Sequence, residues 1–362
     1  MRQQSRKAVR RAVKSRSPQN RLLRVRRDQD TDAFEADGKV VHLTNLRKIF
    51  WPDLGISKRD LLEYYIDVAP VLLPHLADRA MVMKRYPNGI AGDFFFMKRA
   101  PSPRPEWIKT CAIEHASGNV IDFPIITDLA ALVWVINLGC IDLNPWYARC
   151  DDVDRPDYLH FDLDPVKGAS WSQMLEAAAL VHEALTGLGM PALIKTTGSR
   201  GFHIHVPLVR GPTQKEVWRF AKEFAMSLAA LRSDLITAEY RVAKRPRQRV
   251  LVDYNQNAWG QTLASIYSVR PQPKATVSTP ITWKELERAF GSKTSASTMS
   301  GRGSNKLVIF GHRCWRKQAA PNCKDSMALP IDPGAFADGS RRNKPATITI
   351  YGLALLAPWS ER

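Results

Sequence analysis

Tyr158-Leu159-His160-Phe161-Asp162-Leu163-Asp164-Pro165 reads as a β-prone run that ends in two carboxylates. Side chains alternate across a strand, so Asp162 and Asp164, two positions apart, share one face and converge. Paired carboxylates at a strand end hold hard, oxygen-seeking ions such as Mg²⁺ or Mn²⁺, which also bind substrate phosphates. The pattern alone is weakly specific, because Asp-x-Asp also occurs in surface loops and in phosphohydrolases.

Working outward, Leu251-Val252-Asp253-Tyr254 is a second apolar run ending in an aspartate. Asp253 is a candidate third carboxylate; its ordinary alternative is an isolated strand-end acid. Just upstream, Arg241, Lys244, Arg245, Arg247 and Arg249 crowd around Pro246 in what reads as an exposed loop, suited to phosphate backbones or else a solvated basic turn. Between the two aspartate runs lies Lys195-Thr196-Thr197-Gly198-Ser199-Arg200-Gly201-Phe202-His203-Ile204-His205-Val206-Pro207, a glycine- and hydroxyl-rich turn leading into a strand. Its backbone amides, the hydroxyls of Thr197 and Ser199, the Arg200 guanidinium and the His203 imidazole are candidate triphosphate ligands. His203 and His205 also share a strand face, which keeps a His-x-His metal site as a rival, though neither a cysteine nor a third histidine is placed to complete a zinc site.

Further strands are predicted at Val40–Leu46, Ala80–Arg85, Asp93–Lys98, Asn119–Asp122, Ala192–Lys195, Phe202–Val206, Arg249–Asp253 and Ser265–Ser268. Helices are predicted at Asp60–Leu73, capped by Ser57, and at Asp128–Leu138, Ser170–Leu188, Gln214–Leu231 and Trp283–Phe290. The mixture implies an α+β fold. No Gly-x-x-x-x-Gly-Lys loop occurs, which disfavours a P-loop nucleotidase.

The formal net charge of +18 is unevenly placed. Residues 1–27 carry 11 Lys and Arg with no acid, residues 291–362 carry 11 against 4, and residues 28–290 carry 31 against 31. Nucleic-acid binding by the body must therefore rest on local clusters, while residues 1–37 read as a basic, disordered arm that adds salt-sensitive phosphate affinity or is simply solvated. The body is expected over residues 38–290. Five cysteines without paired short spacing, no apolar run of membrane-spanning length and no secretory signal point to a reducing cytoplasmic compartment, in association with the nucleoid.

The three motifs, in this order and spacing, resemble the archaeo-eukaryotic primase superfamily, and most closely the polymerase domains of bacterial DNA ligase D. The resemblance covers roughly residues 39–290 and extends to His42–Lys48, Asp93–Phe96, Val133–Gly139, Tyr267–Arg270 and Val277–Pro280. It implies a primase-like core with mixed and antiparallel sheets flanked by helices. It also implies a template-dependent nucleotidyl transferase with two Mn²⁺ or Mg²⁺ ions and a ribonucleotide preference, filling gaps at DNA ends in non-homologous end joining with the Ku protein and a separate or formerly fused DNA ligase. Carried over residue by residue, Asp162, Asp164 and Asp253 become the catalytic metal ligands. Thr197, Arg200, His203, Arg270 and Asn144 surround the nucleotide, and the residue-based reading of the turn adds Ser199. Asn45, Lys48 and Lys58 take the 5′-phosphate at a gap, for which surface charge is the plain alternative, and Phe95 and Phe96 meet the template, for which core packing is the alternative; beside the resemblance, Arg85 and the loop cations Lys244, Arg245 and Arg247 are candidate DNA contacts. Thr197 stands where many relatives have Ser, Arg200 where many have Lys, and Asn144 where many have His near the nucleotide sugar, which bears on the ribonucleotide preference. No Lys-x-Asp-Gly adenylation motif occurs, so no nick-sealing activity is expected.

After Gly291 both the resemblance and the periodic pattern are lost. Reading permitted codons for residues 292–321 one nucleotide out of phase yields Ile-Glu-Asp-Phe-Arg-Ile-Asp-Asn-Val-Arg-Ala-Arg, continuing to Gly-Asp-Leu-Trp-Ala-Pro-Leu-Leu, which resembles the family's ending. Residues 291–362 are accordingly read as an out-of-frame, disordered tail. Two rival functions are a catalytically inactive module that binds DNA ends, against which the intact aspartates argue, and an Asp-x-Asp phosphohydrolase, which leaves Asp253 and the His203 turn unexplained.

Overall fold

The computed structural model of the protein describes residues 28–291. These divide into two compact units between Leu143 and Asn144. Residues 1–27 of the expected arm and the expected out-of-frame tail after Gly291 lie outside the described residues.

In the first unit, Asp32–Ala36 (β1) pairs antiparallel with Lys39–Leu43 (β2), with Phe34 opposite Val41 and both buried. This corrects the expected start of the folded region: Phe34 contributes an apolar side chain to the pair, so the ordered chain begins before residue 38. A short hairpin, Ile49–Trp51 (β3) and Ile56–Ser57 (β4), leads into the helix Lys58–Leu76 (α1). Ser57 Oγ accepts from the Asp60 N–H while the Asp60 carboxylate accepts from the Ser57 N–H, satisfying two otherwise orphaned donors. Leu61, Leu62, Tyr65, Ile66, Ala69, Leu72 and Leu76 form the buried stripe of that helix at helical spacing. Met81–Arg85 (β5) and Phe95–Met97 (β6) pair with each other, Thr110–Glu114 (β7) pairs with Val120–Pro124 (β8), and Leu129–Asn137 (α2), capped by Asp128, is almost wholly buried. Cys140–Pro145 (β9) adds to β5.

The second unit continues with the small pair Ala148–Arg149 (β10) and Asp152–Pro156 (β11), then Tyr158–Pro165 (β12), the helix Trp171–Gly187 (α3), Leu193–Thr196 (β13) and Phe202–Pro207 (β14). The helix Gln214–Leu231 (α4), Ile236–Thr237 (β15), Val250–Asp253 (β16), Pro280–Ile281 (β17) and Trp283–Gly291 (α5) complete it. Six strands form one sheet in the order β15-β16-β12-β14-β13-β17, antiparallel except for the β15–β16 pair.

The pleat sorts this sheet into two chemically different faces. Leu159, Phe161 and Leu163 of β12, Phe202, Ile204 and Val206 of β14, Val250 and Val252 of β16 and Ile194 of β13 pack with α3 and α4 into one core. Each such fully buried side chain contributes roughly 1.5–3 kcal/mol. The alternate residues are His160, Asp162, Lys195, His203, His205 and Asp253, and they fall on the opposite face. A sequence that gives one face to apolar burial thereby gathers its titratable groups on the other.

One predicted strand is not formed. Ser265–Ser268 is a turn in which Ser268 N–H donates to Ser265 O at 3.2 Å and Tyr267 adopts φ 57°. Its backbone groups pair locally and with Ser278 rather than in a ladder.

Candidate active site

Asp162 stands at the centre of the polar face. In register it lies opposite Asp253 on β16 to one side and opposite His203 on β14 to the other. Asp164 follows on the same face at the end of β12. Burial pushes the Asp162 carboxyl up to about 6, against the opposing pull of Lys195 and Arg270. Asp164, at the exposed rim, is also raised, by partial burial and then by Asp162, and Arg200 counters it. Asp253 is raised by burial and by Asp162, while the N–H of Asn255 and the amide of Gln256 donate to it at 2.7 and 3.1 Å.

Asp162 Oδ1 is buried with only the long 3.3 Å approach of His203 Nε2 and no hydrogen bond of ordinary geometry, a shortfall that a bound cation relieves. Asp253 is turned to Asn255 and Gln256, and among the described residues no three His, Cys, Asp or Glu side chains form a closed metal cluster. The donor set is all-oxygen and fits a hard divalent ion on the Asp162 and Asp164 side, with Asp253 on the adjoining strand.

The Thr197–Gly201 turn is pressed against this strand end. A Cβ on Gly201 would meet Leu163 O at 1.9 Å, so only glycine fits there. Gly198 has φ +68° and lies against Arg270, Val277 and Ser278. The Thr197 hydroxyl accepts from the N–H groups of Ser199 and Gly201 at 3.0 and 3.2 Å, so its contacts brace the turn. Ser199 and Arg200 are exposed on it.

His203 is buried, with Nε2 3.3 Å from Asp162 Oδ1 and Nδ1 2.7 Å from Lys195 Nζ. Burial and the cations Lys195 and Arg270 hold its pKa well below the ordinary histidine value, so the ring is neutral. His205 instead meets His160, Nδ1 to Nδ1 at 2.8 Å, so the two histidines of His-x-His address different partners. Asn144 is buried. In the basic loop, Lys244 and Arg247 are exposed, and Arg245 donates to the carbonyls of Glu239 and Tyr240 while its charge favours ionised Asp164 and Asp253.

The remaining candidates belong to the first unit. Asn45 and Lys48 line a cleft of about 490 Å³ together with Asp30 and Arg47, two residues the sequence reading missed. Asp30 holds the cleft loop through bonds from Leu46 N and Arg47 N, both at 2.9 Å. Lys58 is 4% exposed and donates to Thr44 O at 2.6 Å; burial, then Lys48, lowers its pKa to about 8. Phe95 and Phe96 are 44% and 58% exposed, so core packing does not account for them. Lys84 lies over Phe94 and Phe96, and Arg85 over Phe95 while donating to Leu138 O. Lys84, Phe94, Lys195 and Gln256 were also missed; strand parity could have placed Lys195 beside His203, but nothing local marks Gln256. No described helix is long and apolar enough to cross a membrane.

Comparison with known proteins gives consistent matches. The family described as "LigD, primase-polymerase domain" matches residues 57–306, continuing past Gly291. The multifunctional non-homologous end joining protein LigD of Mycolicibacterium smegmatis is 33% identical over 248 residues, which cover 68% of this chain and 32% of that protein. The corresponding LigD of Pseudomonas aeruginosa is 30% identical over 331 residues, covering 90% and 36% respectively. The chain thus spans about a third of the length of these curated relatives. Among solved structures, the polymerase domain of Mycobacterium tuberculosis ligase D in complex with DNA is similar with TM-score 0.65 and 28% identity, covering 75% of this chain and 99% of that one.

Proposed function

The chain belongs to the LigD primase-polymerase domain family, and from that premise we propose that it extends the 3′ end of a strand at a DNA gap or break by template-dependent nucleotidyl transfer. The observation that carries the reading is the register that sets Asp162 between Asp253 and His203, beside a turn fit for a triphosphate. In the reaction the primer 3′-hydroxyl gives up its proton to solvent as its oxygen bonds to the α-phosphorus, the bond to the bridging α–β oxygen breaks, and pyrophosphate leaves. Asp162, Asp164 and Asp253 are the residues that would hold two divalent ions, which when bound would supply Lewis-acid activation of the hydroxyl and charge neutralisation at the leaving group. Arg200 and Arg270 balance triphosphate charge, and the amides of the Thr197–Gly201 turn hold its oxygens. A ribonucleotide preference is part of the proposal, with Asn144 in the place near the sugar where many relatives carry His.

In the first unit, Asn45, Lys48 and Lys58 receive the terminal 5′-phosphate, whose extra negative charge distinguishes it from an internal phosphate. Exposed Phe95 and Phe96 offer stacking surfaces for template bases without sequence preference. Work alongside Ku and a DNA ligase, in non-homologous end joining, completes the proposed role; the chain itself seals no nicks. Primer extension on gapped DNA tests it, with and without a 5′-phosphate and with ribo- against deoxynucleotides. Expected is metal-dependent extension that is faster with the 5′-phosphate and with ribonucleotides; DNA binding without any extension would leave only an end-binding module.

A further inference from the structure

Lys195 is 1% exposed, and a lysine so buried needs a reason. The run Leu193-Ile194-Lys195-Thr196 is β13, whose pleat sends Ile194 into the helix-packed core and Lys195 to the polar face, in register with His203. Its Nζ contacts Ala264 O at 2.9 Å, Ser278 Oγ at 2.6 Å and His203 Nδ1 at 2.7 Å.

The direction of each bond follows from donor inventory. A carbonyl only accepts, and the single hydroxyl hydrogen of Ser278 is given to Thr196 O at 2.8 Å, so Ser278 accepts from Lys195. An ammonium has no lone pair and cannot accept, so in the 2.7 Å contact Lys195 donates to His203 Nδ1. An imidazole that accepts at Nδ1 carries its own hydrogen on Nε2, the atom 3.3 Å from Asp162 Oδ1.

We propose that Lys195 is a positioning residue for nucleotidyl transfer: it locks His203 with the hydrogen on Nε2, so that a donor, not a lone pair, faces Asp162 and the incoming phosphate. A lone pair there would repel both the carboxylate and phosphate oxygens. The functional half of this inference rests on the polymerase reading, whereas the tautomer does not.

The test uses the full chain, free of metal and labelled with ¹⁵N-histidine, in long-range ¹H–¹⁵N correlation spectra near neutral pH, with His203 assigned by its absence in His203→Gln. Expected is a bare Nδ1 and a protonated Nε2, and a mixture of tautomers in Lys195→Met. A protonated Nδ1 in the unaltered protein overturns the proposal, as does an unchanged tautomer in a folded Lys195→Met; if that variant fails to fold, the spectrum of the unaltered protein decides. In primer extension, Lys195→Met should lower kcat/KM for the nucleotide by roughly 10–100-fold, as loss of an orienting partner does. The double variant Lys195→Met with His203→Gln should be no slower than His203→Gln alone, because one residue acts through the other. Losses that multiply contradict the proposal. If the unaltered protein extends no primer, the polymerase reading fails while the spectrum still judges Lys195.

Discussion

Asp162 is a carboxylate placed where its charge costs stability until something positive joins it. Its folded-state pKa of about 6 lies above the unfolded value near 4, so the folded protein binds this proton more tightly. The stability this provides is full below about pH 4 and is lost as pH rises through 6. In the presence of a chelator, unfolding free energy should therefore fall between pH 4 and 7, by on the order of 1–3 kcal/mol from this group. Asp162→Asn should flatten that fall and melt higher than the unaltered protein at pH 7; an equal or lower melting temperature contradicts the account. Lys58 titrates in the other sense. With its free-state pKa near 8, preference for 5′-phosphorylated over unphosphorylated ends should be full at pH 7 and begin to fall above pH 8, up to about tenfold per pH unit. Competition binding with the two ends measures it, and a preference constant to pH 9.5 would remove Lys58 from the pocket. Parity made Asp162 and Asp164 legible from sequence. The burial of Lys58 was not legible, since a lysine at the start of an amphipathic helix reads as surface charge.

At the level of elements, helices were the most legible because their ends are written locally. Ser57, Asp128 and Ser170 each cap the predicted helix with a side-chain oxygen on the first turn. Strands whose pairing is set at long range were harder. β9 carries buried Asp142 and Asn144 and shows no alternation, and β1 lies in a polar stretch redeemed only by Phe34 opposite Val41. Ser265–Ser268 has strand-prone residues but turns at Tyr267, where a positive φ is required by bonds to a partner thirteen positions from Ser265. The Thr197–Gly201 turn was legible in composition as a glycine- and hydroxyl-rich turn, but the reason for Gly201 is tertiary. Gly201→Ala should displace the turn from Leu163 O, weaken nucleotide binding by at least about tenfold and lower thermal stability by roughly 1–3 kcal/mol. Nucleotide titration and melting curves check both; unchanged affinity means the turn does not hold the triphosphate.

For the whole molecule, charge arithmetic proved a better guide to what to ignore than to what to find. The +18 sits in flanks, while the described residues place their cations in small local groups: Lys48 and Arg47 in one cleft, Arg200 and Arg270 at the turn, Arg245 near Asp164 and Asp253. The division into two units was not legible, because a boundary inside a strand leaves no change of composition. The gene's nucleotide sequence after Gly291 decides the reading-frame proposal directly. The central claim concerns the aspartates, and single-turnover primer extension on 5′-phosphorylated gapped DNA tests it most directly. Asp162→Ala and Asp164→Ala should each slow extension at least about a thousand-fold, roughly 4 kcal/mol, with DNA affinity nearly unchanged. Extension by either variant within tenfold of the unaltered protein, with Mn²⁺ present, would contradict it.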